Sequence, residues 1–121
     1  MKTKRRKPSN EALAKASIRN ARVAPRKARL VIDQIRGLNV TNALAILENT
    51  RRGSNPIVRN VLKSAIANAV ERDGNVDPDA LNIVEARVDG ARALKRYRPR
   101  AMGRAARILK RSCHIHLSVG E

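Results

Sequence analysis

Aromatic residues are almost absent: Tyr97 stands alone among 121 residues, with no Trp and no Phe. The core must therefore be aliphatic, and it is modest, because 18 of the hydrophobic residues are alanine. The single cysteine, Cys113, excludes an internal disulfide, cannot by itself build a structural zinc site, and points to an intracellular setting. No apolar run approaches the roughly 18 residues that span a bilayer. The basic start from Met1 to Lys7 leads into no apolar secretory segment. Acidic residues are also scarce, ten against 27 Lys and Arg, for a formal charge of +17 and a pI near 11.7. These absences predict a soluble, cytoplasmic polycation whose self-repulsion is relieved by a polyanion, most commonly nucleic acid.

The charge is segregated. Residues 1–36 hold 12 basic and 2 acidic groups, residues 37–90 hold 6 and 7, and residues 91–121 hold 9 and 1. A solubilising surface would mix both signs throughout, whereas a neutral middle between two cationic ends predicts a dedicated anion-binding face.

Periodicity predicts one α+β domain over residues 11–121, preceded by a basic tail, residues 1–10, that is disordered until neutralised. From Ala12 the chain alternates, with Ala14, Ala16 and Ile18 opposite Lys15, Ser17 and Arg19, a strand pattern. Pro25 fits a first helical position and Gly37 a stop, with Ala24, Ala28, Val31, Ile32 and Ile35 as the apolar stripe. Arg22, Arg26, Arg29 and Arg36 follow a second stripe at the same period, with Lys27 beside it. Thr41 is placed to cap a short helix bearing Ala43, Leu44 and Leu47. Asn55-Pro56 opens a longer one that runs to Gly74 and carries Ile57, Val58, Val61, Leu62, Ala65, Ile66, Ala69 and Val70. After an acidic turn, strands are expected over Leu81–Asp89 and His114–Val119, the last with Ile115, Leu117 and Val119 inward. The expected fold is a three-stranded antiparallel sheet packed on three helices, with a long extended β-hairpin arm.

That arm is the segment from about 90 to 111, with nine basic residues and no acidic one. Leu94, Met102, Ile108 and Leu109 are too sparse to make it a core element, and connections of this length are functional or disordered. Run as an antiparallel pair, about ten residues a side at about 3.3 Å each reach roughly 30 Å. A floppy basic linker has the same composition, but Pro99 and Gly103 favour a defined bend.

Catalysis finds no support. Two neighbouring histidines make no Ser–His–Asp or Cys–His set, and no glycine-rich nucleotide loop occurs. Cys113, His114 and His116 stand close together, but a strand sends Cys113 to the opposite face and no fourth ligand follows, so neither metal nor cofactor is expected. Without a broad apolar face beside the basic stretch, no membrane partner is expected either.

Five blocks carry a family resemblance. They are Val23-Ala-Pro-Arg-Lys-Ala-Arg-Leu-Val31 with Ile35-Arg-Gly37; Leu62-Lys-Ser-Ala-Ile-Ala-Asn-Ala69; Leu94-Lys-Arg96; Pro99-Arg-Ala101 with Gly103-Arg104; and Ser112-Cys-His-Ile115. In this order and spacing, over about residues 12–119, the chain resembles the bacterial-type members of large-subunit ribosomal protein family twenty-two. The resemblance implies a structural, non-enzymatic protein of the cytoplasmic ribosome, monomeric within the particle, that binds several domains of large-subunit ribosomal RNA and joins early in assembly. It also implies an arm lining the nascent-peptide exit tunnel through Leu94, Lys95, Arg96, Tyr97, Arg98, Pro99, Arg100 and Ala101. There the partners would be the nascent peptide and the other protein of the tunnel constriction, near the macrolide site. Residues expected on the RNA are Arg19, Arg22, Arg26, Lys27, Arg29 and Arg36, then Arg92, Lys95, Arg96, Arg98, Arg100, Arg104, Arg107, Lys110, Arg111 and His114. The chain departs from the family pattern at Ala24, commonly Ser, at Gly90-Ala91-Arg92, and at Met102, commonly basic. A DNA-compacting protein would share the charge without needing a shaped arm.

Overall fold

Alternation in the last strand and helical spacing in the middle of the chain build the body. A computed structural model describes residues 12–121; the expected basic tail lies outside them. The elements run β1 (Ala14–Ala21), α1 (Pro25–Ile35), α2 (Val40–Asn49), α3 (Asn55–Arg72), β2 (Asn82–Gly90), β3 (Leu94–Pro99), β4 (Ala105–Lys110) and β5 (Cys113–Gly120). Single 3-10 turns cover Pro78–Ala80 and Ala101–Gly103.

β5 lies in the middle of an antiparallel sheet of order β1-β5-β2. Ala14, Ile83, Ala86, Val88, Ile115, Leu117 and Val119 turn one face of this sheet inward. Against it pack α1, with Ala28, Val31, Ile32 and Ile35 buried, and α3, with Val58, Val61, Leu62, Ala65 and Ala69 buried. Each larger side chain here stabilises by about 1.5–3 kcal/mol. Val70, expected in the apolar stripe of α3, sits at its margin and is exposed.

Two local expectations are corrected. The cap of α2 is Asn39, whose side chain accepts the Thr41 N–H at 2.9 Å, so Thr41 is already inside the helix. β1 carries an irregularity between Ile18 and Ala21, where Asn20 adopts φ +55°, a left-handed conformation that Asn tolerates. As the sequence anticipates, Ala24 gives α1 no side-chain cap.

Both edges of the sheet are covered by helix side chains. From α3, Asn68 donates to the Lys15 carbonyl at 3.0 Å and Arg72 to the Leu13 carbonyl at 2.9 Å. From α1, Arg29 donates to the Val88 carbonyl at 3.1 Å through Nη2, and Arg36 likewise to the Ala86 carbonyl at 3.0 Å. Edge strands left open invite another strand to pair; these side chains occupy two of the carbonyls on each side that it would use.

β3 and β4 form a separate two-stranded sheet, paired from Leu94↔Lys110 to Pro99↔Ala105. It continues the β2–β5 pair: after Gly90↔Cys113, the Ala91 N–H donates to the Ser112 carbonyl at 3.0 Å. Arg92 and Ala93 then face Arg111 alone, a two-against-one step of the kind that turns a ribbon.

Candidate nucleic-acid interface

Helical period sorts the cations of α1 into two kinds. Arg26 and Lys27 are exposed, as is Arg22 just before the helix, and no acidic partner or hydrogen bond engages their side chains among the described residues. Arg29 and Arg36 are committed to the β2 edge, and Arg36 also pairs with Asp33 at 2.8 Å. The expected stripe of four arginines is thus half free and half engaged in holding helix to sheet. Arg19 is exposed on β1 beside the Asn20 irregularity.

The ribbon presents cations on both faces. Leu94, Arg96 and Arg98 share one face with Ala106, Ile108 and Lys110; Lys95, Tyr97 and Pro99 share the other with Ala105, Arg107 and Leu109. Tyr97 is 71% exposed and stands directly opposite Arg107. Arg100 and Arg104 flank the tip, where the Arg100 N–H donates to the Arg104 carbonyl at 2.6 Å. Met102 (φ +60°) and Gly103 (φ +68°) make the reversal, and Met102 is 96% exposed. Two positive φ values in succession suit a tight hairpin turn. Gly103 adopts this without cost, and Met102 does not.

Body and ribbon share a basic trough. One cleft, of about 580 Å³, lies between Arg22 and Ala24 and the ribbon base at Leu94, Arg96, Leu109, Lys110 and Arg111. A second, of about 610 Å³, starts from the same Arg22 and Ala24 and reaches Lys27, Leu30, Arg52 and Ser54. Arg52 lies in a segment that is neutral overall, which hides it in the sequence. The available signal is the pair Arg51-Arg52, separated from the start of α3 by Gly53 and the cap Ser54.

The outer sheet face differs: Arg87 lies between Glu85 at 3.8 Å and Asp89 at 3.7 Å, and His116 stands 3.5 Å from Asp89. Opposite charges balance there. His114 Nδ1 accepts the Asn20 N–H at 3.1 Å, so Nε2 is the ring nitrogen left for an outside partner. Cys113 is buried, and burial pushes its thiol above the ordinary value, partly opposed by nearby Arg29. Among the described residues no cluster of three or more His, Cys, Asp and Glu is arranged to hold a metal, and no helix is long and apolar enough to cross a membrane.

The sequence is similar to known proteins. The family described as ribosomal protein L22p/L17e matches residues 16–120. The large ribosomal subunit protein uL22 of Oceanobacillus iheyensis is 56% identical over 108 residues, covering 89% of this chain and 95% of that relative. The chain therefore belongs to the ribosomal protein L22p/L17e family, structural constituents of the large ribosomal subunit rather than enzymes.

Proposed function

We propose that the chain binds large-subunit ribosomal RNA through the free cations of the α1 end and both faces of the ribbon, in the cytoplasmic ribosome. In this reading the ribbon is an arm that enters the RNA and lines the nascent-peptide tunnel with Leu94 to Ala101, beside the other constriction protein. The body remains nearer the surface and joins during early assembly. The observation that carries this reading is a two-stranded ribbon with cations on both faces. Such a ribbon has no apolar side to bury and is barely stable alone in water. Packed in RNA, its arginines fork onto phosphate oxygens and its tyrosine has bases to stack on.

Sedimentation of cell lysate tests it. The protein should travel with large subunits through moderate salt washes, and recovery mainly in the free fraction would contradict the proposal. Removing Leu94 to Arg96 should leave the body folded and able to enter subunits while altering macrolide susceptibility. Equal affinity for duplex DNA and for ribosomal RNA at the same salt would favour nonspecific charge binding instead.

A further inference from the structure

One side of the body is ill suited to RNA. There α2, α3 and the 3-10 turn Pro78–Ala80 enclose a groove of about 350 Å³, lined by Leu44, Ile66 and Pro78 and bordered by the exposed Glu48 and Asp79. Val70, four residues beyond Ile66 and so on the same side of α3, continues the apolar strip and is 36% exposed. The groove is preformed. Asn39, the cap of α2, donates through its side chain to the Asp79 carbonyl, and the Val40 N–H donates to the Leu81 carbonyl, both at 2.9 Å.

Charge sets this groove apart from the rest of the molecule. In a chain of formal charge +17, five of the ten acidic residues lie on α2, at the end of α3 or in the turn that follows: Glu48, Glu71, Asp73, Asp77 and Asp79. All five are exposed, and none is paired with a cation among the described residues. By contrast, Asp33, Glu85 and Asp89 each face an arginine, at 2.8 to 3.8 Å. Arg72, in the last turn of α3, is held on the Leu13 carbonyl, and Lys63 is a single cation against five carboxylates. The groove also lies at the far end of the sheet from the arm. β2 starts at Asn82, just after the turn, and reaches the ribbon base at Gly90, roughly 26 Å away along the strand.

We propose that this groove receives a basic segment of a neighbouring large-subunit protein. Its aliphatic side chains lie on Leu44, Ile66 and Val70, and its Lys or Arg side chains face Glu48 and the carboxylates of the turn. Unpaired carboxylates repel the phosphates that suit the arm, and the same charges attract a cationic peptide. Apolar anchors give such a contact its affinity, and the charges around them give it register. A preformed wall spares the cost of ordering it on binding. The proposal rests on the chain being a large-subunit protein, and goes beyond that by giving the body a protein-facing side opposite its RNA-facing one.

Two measurements test it. In large subunits carrying the chain with a photoreactive benzophenone residue in place of Ala45, an exposed groove residue, irradiation should link it to a segment of another protein that combines Lys or Arg with Leu, Ile or Val. Linkage to RNA, to the chain's own first residues, to a segment without basic residues, or to nothing would overturn the proposal. Free in solution at physiological salt, the full ¹⁵N-labelled chain should bind a lysine–leucine peptide with saturable amide shifts confined to α2 and residues 63–80. The same peptide with serine in place of leucine should bind about tenfold more weakly, having lost its apolar anchors. Glu48→Gln and Asp79→Asn should each weaken the first peptide about threefold, the scale of one exposed charge pair. Neither carboxylate is in an ion pair within the described residues, so both variants should keep the parent's thermal midpoint. Equal affinity for the two peptides, or unchanged affinity in both variants, would overturn the proposal. Failure of the chain to sediment with large subunits would instead contradict the parent reading, and the titration of the free chain reads the groove independently of it.

Discussion

Arg26 and Arg29 stand three residues apart on one helix, yet their guanidinium groups have different surroundings. Arg29 spends Nε and Nη2 on the Val88 carbonyl, whereas Arg26 meets no acceptor among the described residues. Arg29→Ala should therefore cost about 1 kcal/mol of stability by urea unfolding, since one charged hydrogen-bond set is lost at a partly solvated edge. Arg26→Ala should leave the urea midpoint unchanged and lower the salt dependence of RNA binding by about one phosphate contact. A helical stripe announces both arginines as basic, but only the sheet edge beside them reveals which is already engaged. Cys113 makes a second residue-level point. Its thiol is raised above the ordinary value of 9.0, chiefly by burial, so the folded chain keeps that proton longer than the unfolded chain. Its contribution is complete below the ordinary thiol value and is lost as pH rises through the raised one. Stability measured from pH 7 upward should fall more steeply above about pH 9 in the parent than in Cys113→Ala, with parallel slopes contradicting the assignment. Asn55 is buried, and its side-chain amide donates to the carbonyls of Leu47 and Thr50, closing the loop into α3. Asn55→Ala should cost about 1–3 kcal/mol by the same assay, because both carbonyls lose a donor.

At the scale of elements, the hairpin tip stores a local strain. Met102 adopts φ +60° where glycine or asparagine is at ease. Met102→Gly should populate the ribbon more fully in the free protein, read as stronger cross-strand NMR contacts between Tyr97 and Arg107, without shifting the thermal midpoint of the body. Weaker contacts would show that the turn is shaped by something other than this residue. Elements with a repeated pattern were legible in sequence: β5 through strict alternation, α3 through its long apolar stripe, α1 through Pro25 and Gly37. Features that depend on a distant partner were not. The left-handed Asn20 answers to His114, 94 positions away, and the Asn39 cap also reaches the Asp79 carbonyl at 2.9 Å. Nor does any local pattern reveal the step at Arg92, Ala93 and Arg111, which arises only when the two sides of the ribbon are set against each other.

For the whole molecule, partition of charge along the chain becomes partition in space. The neutral middle supplies α2, α3 and β2, with paired charges on the outer sheet face, while both cationic ends meet around Arg22 at the base of the ribbon. Sequence showed that two basic segments existed; that they adjoin follows from β5 pairing with both β1 and β2. Arg52 joins them only through the packing of α3 beside α1. An aliphatic body with helix side chains on both sheet edges needs no partner strand, whereas a ribbon charged on both faces is, in the proposed reading, completed by a polyanion. A density map of large subunits carrying this chain tests that division most directly. The expected map has the Leu94–Lys110 ribbon enclosed by ribosomal RNA, with Tyr97 and Arg98 at the tunnel and the body outside it. A ribbon folded onto the protein's own core, or lying in solvent clear of RNA, would contradict it.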